Sequence, residues 1–237
     1  MILFIMIMGF IFGNFTTSFY YRISNERRVN GYKSLSGQAP HCSSCKHPLK
    51  FYEYLPILSI FSTKFRFICN YCGASINPVY TILEFSTAIL FALNYMYVTS
   101  GESLVLTLLL IPVGILTIAL RINDNKIPNY LLWFAAFLGV LYRTISDGTF
   151  YIWFLHLSIF MLVIISIYKD KEADFSSVAL RVSVLAISCC WLETIPLLIM
   201  LGIHSFICLI RKLDSKYIFS LDWLILYFMI IISEAIL

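Results

Sequence analysis

Charge is what this sequence has least of: Asp, Glu, Lys and Arg together make up 13% of 237 residues, while 60% are hydrophobic and 16% aromatic. So little charge cannot cover one water-soluble core, which excludes an ordinary soluble domain and implies an integral membrane protein. Other features are missing as well. There is no glycine-rich nucleotide-binding loop and no extended basic and aromatic surface, so nucleic acid is not an expected partner. No internal repeat of the kind that builds many transporters is visible. The first apolar run has neither a basic segment ahead of it nor a small-residue cleavage site after it, which points to a retained helix rather than a removable leader.

What is present is a series of apolar runs, near 2–21, 79–98, 104–120, 128–142, 150–168, 176–190, 192–210 and 218–236. Each is long enough, or nearly so with tilt, to cross a bilayer. The expected fold class is therefore all-α: a polytopic helical membrane protein of about eight transmembrane helices. Two regions are expected. Residues 1–98 hold the first two spans and a hydrophilic loop, 22–78, and residues 99–237 hold the remaining spans. Eight spans place the loops 22–78, 121–127, 169–175 and 211–217 on one side, and these contain all but two, Arg143 and Arg181, of the 17 Lys and Arg residues. Basic residues gather on the cytoplasmic side, so that side is assigned to the long loop.

That loop contains "HCSSCKHPL" and "FICNYCGASI", in which Cys42 and Cys45, and then Cys69 and Cys72, form two Cys-x2-Cys pairs. Two such pairs can surround a tetrahedral Zn²⁺ with four thiolates. The alternatives are two disulfides or unpaired thiols, and disulfides are rare in a reducing cytoplasm. His41 and His47 flank the first pair and are substitute ligands, although four cysteines already complete a site. A four-thiolate site leaves no open position, so the metal is expected to be structural. Cys189, Cys190 and Cys208 lie in apolar runs and read as small buried side chains.

The order of features around the loop resembles a known family. "GFIFGNFTTSFYYRI", then "CSSCKHPLKFYEYLPILSIF", then "KFRFICNYCGASINPVYTILEF" is similar to the amino-terminal half of the type IV prepilin leader peptidases. The elements carrying the resemblance are Gly13-Asn14-Phe15, the two cysteine pairs, Phe51 to Ser59, and Tyr80 to Glu84. It implies an enzyme of the bacterial inner membrane that cuts the short leader from prepilins and pseudopilins on the cytoplasmic side. It also implies N-methylation of the new amino terminus with S-adenosylmethionine. Glu53 and Glu84 become candidates for methylation or for positioning the loop. A charge favoured by the helix dipole is the alternative for Glu84.

For proteolysis the resemblance implies two aspartates, one serving as base toward water while its protonated partner polarises the peptide carbonyl. The family places its first aspartate seven residues ahead of the proline of an Ile/Leu-Pro element. In "RINDNKIPN" that position is Arg121, and the nearest acid is Asp124, about 4.5 Å further along a helix. A Gly-x-Gly-Asp element supplies the second acid. It aligns with "KEADFSSVAL", which makes Asp174 the candidate, with Lys171 and Ala173 at the glycine positions and Ser176 where a lysine is expected. Asp170 competes for the role. The later Pro-Phe-Gly-Pro element is reduced to residues 217 to 223.

The expected function is thus a membrane aspartic endopeptidase of the prepilin peptidase type, with Asp124 and Asp174 as catalytic acids, structural Zn²⁺ on Cys42, Cys45, Cys69 and Cys72, and prepilins and the lipid bilayer as partners. The rival is a family member that has lost hydrolysis, or kept only methylation, and still binds pilin-like proteins. A small transporter is the weaker rival, because the spans are expected to lack paired charges at mid-depth. His156, Glu193 and His204 are read as helix packing or interfacial groups.

Overall fold

The computed structural model describes residues 1–26, 42, 44–45, 47–48, 69–74, 78–98, 101–123, 127–146, 184, 187–188, 191–192, 194–209 and 215–236. Six helices are found among them, which we number in chain order: α1 (Ile2–Glu26), α2 (Pro78–Tyr97), α3 (Gly101–Ile122), α4 (Asn129–Ser146), α5 (Thr194–Leu209) and α6 (Ser215–Ile236). They coincide with six of the eight apolar runs. The run 150–168 lies outside the described residues. In the run 176–190 the described residues Val184, Ile187 and Ser188 are helical. The fold is all-α. The stretches Ile2–Ser24, Val79–Tyr97 and Ser103–Ile122 are long and apolar enough to cross a membrane, and Asn129–Ile145 and Tyr217–Ile232 are shorter apolar helices.

By its internal packing the chain divides into two compact units, Met1–Leu93 and Asn94–Leu237. In the first unit α1 lies antiparallel to α2, in a register that can be read residue by residue. A Cβ at Gly9 would come 2.7 Å from the Cα of Ala88, and one at Gly13 would come 2.7 Å from the Cα of Glu84. One turn further on, Thr17 Oγ1 donates to the Gly13 carbonyl at 3.0 Å and lies 3.5 Å from that of Tyr80. Residues 9, 13 and 17 therefore share one helical face and meet 88, 84 and 80. Small side chains let the two backbones touch, which is how helices associate where lipid removes the usual hydrophobic drive. Aromatic pairs flank the seam: Phe10 edge-on to Phe85 at 5.1 Å, Phe12 against Phe91 at 5.5 Å, and Tyr20 against Tyr80 at 6.2 Å.

In the second unit α3 packs on α4 and α6, and α6 packs on α5. The buried side chains include Leu110, Leu120, Met200, Phe219, Leu226 and Ile230. Polar groups inside this unit satisfy backbone rather than water: Thr107 and Thr117 hydroxyls donate to the carbonyls of Ser103 and Gly114, each at 2.8 Å. Asn94 Nδ2 donates to Thr107 Oγ1 at 2.8 Å. Trp191 Nε1 donates to the Ala135 carbonyl at 3.0 Å, and its ring stacks on Tyr142 at 5.1 Å.

Candidate functional site

Each cysteine pair is built by a turn that closes on itself. The Cys42 N–H donates to the His47 carbonyl at 2.9 Å, and the Cys69 N–H donates to the Ala74 carbonyl at 2.8 Å. The two turns thus repeat the same bond across five residues. In the second turn the Gly73 N–H also donates back to the Cys69 carbonyl at 2.9 Å. Gly73 has a φ of +70°, a left-handed conformation that costs glycine little and other residues more. The turns face each other, with Cys42 Sγ 3.8 Å from Cys72 Sγ and Cys45 Sγ 4.0 Å from Cys69 Sγ.

All four Sγ atoms lie within 4.8 Å of one another, and all four cysteines are free thiols. Disulfide bonding requires about 2.05 Å between sulfurs. Four thiolates at about 2.3 Å from a central Zn²⁺ stand about 3.8 Å apart along each tetrahedral edge. The separations of 3.8 and 4.0 Å fit the metal and not the disulfide, so the residues present suit a four-thiolate ion. Cys42 and Cys69 are buried and Cys45 and Cys72 exposed, which places one inner and one outer ligand in each turn. His47 stacks on Tyr71 with ring centroids 3.5 Å apart, an aromatic bridge from one turn to the other. His41 lies outside the described residues.

The thiols differ in acidity. A hydrogen bond from the Cys45 backbone, opposed by desolvation and helped by one from Ser44, lowers Cys42 to about 7. At Cys45 the hydrogen bond from the His47 backbone lowers the value, but desolvation and the hydrogen-bonded thiols of Cys72, Cys42 and Cys69 outweigh it and raise it to about 11. A cation at the centre would favour the thiolate form of all four.

The other sequence candidates separate. Glu84 is buried at 7% exposure, on the turn of α2 that Gly13 of α1 touches. Glu53, Asp124, Asp170 and Asp174 lie outside the described residues, as do His156 and Glu193. Arg121, at the family's position for the first aspartate, is in the last turn of α3, and Asn123 just beyond it donates through both N and Nδ2 to the Ala119 carbonyl.

One buried pair was not expected. His204 Nδ1 and Asp222 Oδ1 are 2.9 Å apart, with side-chain exposures of 1% and 0%. The contact joins α5 to α6, in keeping with the reading of His204 as a helix-packing group, and its partner Asp222 was not singled out from the sequence. A signal existed: His204 lies five residues before the end of α5 and Asp222 seven after the start of α6, and the two helices pack on each other.

The fold and the paired knuckles define a helical membrane protein with a four-cysteine cluster. Within it, residues 7–98 match the family described as the bacterial peptidase A24 N-terminal domain. Over 140 residues the chain is 25% identical to a prepilin leader peptidase/N-methyltransferase of Klebsiella pneumoniae, a match covering 59% of this chain and 60% of that protein's length. No solved structure matches. The chain is thus similar to that domain over its amino-terminal region and to a prepilin leader peptidase/N-methyltransferase over about three fifths of that protein's length.

Proposed function

We propose that the chain is a prepilin leader peptidase of the bacterial inner membrane, removing the leader from prepilin-like proteins at the cytoplasmic face and methylating the exposed amine. The observation that carries this reading is the four-cysteine cluster lying inside the region that matches the bacterial peptidase A24 N-terminal domain. Cys42, Cys45, Cys69 and Cys72 would hold Zn²⁺, which ties the two turns together and leaves no open position for substrate. Asp124 and Asp174 are the proposed acid pair, one taking a proton from water and the other lending one to the carbonyl. We place the functional division between residues 98 and 99, with proteolysis in 99–237 and the loop 22–78 on the cytoplasmic side with the other basic loops. Glu84, buried against the α1 backbone, fits a loop-positioning role better than direct contact with S-adenosylmethionine, and Glu53 is the remaining candidate for the methylation site.

A second reading keeps substrate binding without hydrolysis, and Arg121 at the family's first aspartate position favours it. Co-expression with a prepilin separates the two. The peptidase reading expects a mobility shift in the wild type and none in Asp124→Asn or Asp174→Asn. An inserted, zinc-loaded wild type that leaves the prepilin uncut supports the second reading.

A further inference from the structure

Each sulfur contact in the cysteine cluster joins unlike partners. Cys42 and Cys69 are buried, Cys45 and Cys72 exposed, and the contacts at 3.8 and 4.0 Å set Cys42 against Cys72 and Cys45 against Cys69. Among the described residues, both contacts therefore cross from one turn to the other, and each places an outer sulfur on an inner one. The outer sulfurs share their surface with Ser44, Asn70, Tyr71 and Gly73, all exposed, so a small solute in water reaches Cys45 and Cys72 first. An exposed thiolate that meets a peroxide becomes a sulfenic acid, and this goes on to sulfinic and sulfonic acids unless a neighbouring thiol condenses with it. Here the neighbour is already in contact. Closing either separation to the length of a disulfide takes a movement of about 2 Å, which side-chain rotation can supply while both turns keep their backbone bonds.

We infer that the four-cysteine cluster is a peroxide-responsive site in which oxidation joins Cys42 to Cys72 and Cys45 to Cys69, and not the two cysteines of each Cys-x2-Cys pair. The Cys45 thiolate takes one oxygen from hydrogen peroxide and hydroxide leaves. The Cys69 thiolate then attacks the sulfenic sulfur, forming the S–S bond and releasing a second hydroxide. Cys72 and Cys42 repeat the two steps, so two peroxides accept four electrons from four thiolates. With no thiolate left, an ion held by the four sulfurs is released. The new bonds span 30 and 24 residues, so the two turns stay tied to each other after the ion has gone. Thiol reductants reverse both bonds and return the four ligands. The inference rests on the sulfur geometry and does not depend on peptidase activity.

The test treats the full wild-type chain in detergent with hydrogen peroxide, alkylates the remaining thiols under denaturing conditions and digests without reduction. Free thiols are expected to fall from seven to three, leaving Cys189, Cys190 and Cys208. Trypsin cuts after Lys46, Lys50, Lys64 and Arg66, between the two turns, so mass spectrometry should find the peptides of the two turns joined. Fragmentation between Cys42 and Cys45 should then assign Cys42 to Cys72 and Cys45 to Cys69. Release of bound zinc should accompany the loss of thiols, and dithiothreitol with added zinc should restore both; the connectivity decides the matter with or without zinc in the starting sample. Bonds confined to each Cys-x2-Cys pair, or joining Cys42 to Cys69 and Cys45 to Cys72, overturn the proposal. So do sulfinic or sulfonic acids in place of disulfides, and so does a cluster that peroxide leaves unchanged.

Discussion

The two compact units place their polar chemistry differently. In Met1–Leu93 the cysteines sit on turns, each closed by a bond spanning five residues, and helices α1 and α2 meet through glycines. In Asn94–Leu237 the polar groups are inside the helices, and the central contact, His204 to Asp222, joins residues 18 apart on different helices. Local chemistry can be read from spacing. Chemistry that depends on how two helices are aligned cannot be read without their register.

The sharpest way to break this contrast is to take away the cysteines that would hold a metal. Changing Cys42 and Cys69, the two buried ligands, to Ser should reduce zinc from about one per chain to none by elemental analysis. Structural zinc in small domains contributes about 10–16 kcal/mol, so the loop turns should become protease-sensitive while the helices persist. Zinc retained by the double variant would show that the knuckles are not the site.

Next in size is the helix seam of the first unit. Gly13→Leu forces a side chain into the backbone of Glu84, where even a Cβ would come within 2.7 Å of the Cα. Overpacking of this kind costs about 1–3 kcal/mol or more, and contact between backbones leaves no flexible neighbour to yield. Thermal unfolding of the full chain in detergent should show the loss, and Gly9→Leu, facing Ala88 at the same distance, should show a similar one. If Gly13→Leu unfolds like the wild type, the antiparallel register of α1 on α2 is wrong.

Much of this was legible in the sequence. The two Cys-x2-Cys pairs announced the four-cysteine cluster because each turn is completed within a few residues. The apolar runs marked all six described helices because hydropathy over a span-length window needs no tertiary context. Glu84 stood out through its motif, but its burial did not, since that follows from Gly9 and Gly13 presenting a bare face four residues apart. His204 and Asp222 are a different matter: each alone looks like an isolated polar residue in a span, and only the packing of α6 on α5 makes them a pair. Trp191 is similar, because its bond to the Ala135 carbonyl crosses 56 residues. Trp191→Phe should keep most of the ring's packing on Tyr142 and orphan no donor. A loss of about 0.5–1.5 kcal/mol by denaturation is expected.

The smallest effects sharpen the comparison most, because they isolate helix contact from helix propensity. At Gly202 of α5 a Cβ would meet nothing within 4 Å, and at Gly114 of α3 it would lie 3.3 Å from Cε3 of the Trp223 ring. Alanine in a helix interior is favoured over glycine by roughly 0.5–1 kcal/mol. Gly202→Ala should therefore raise thermal stability slightly. Gly114→Ala should come out near neutral, the propensity gain being offset as the ring shifts by a few tenths of an ångström. The order Gly202→Ala above Gly114→Ala above Gly13→Ala, measured in one detergent, ranks contact with open surroundings, with a side chain and with backbone. A gain at Gly13→Ala would mean that the first unit is held by its aromatic pairs alone, and that the glycine seam is a consequence of the packing rather than its cause.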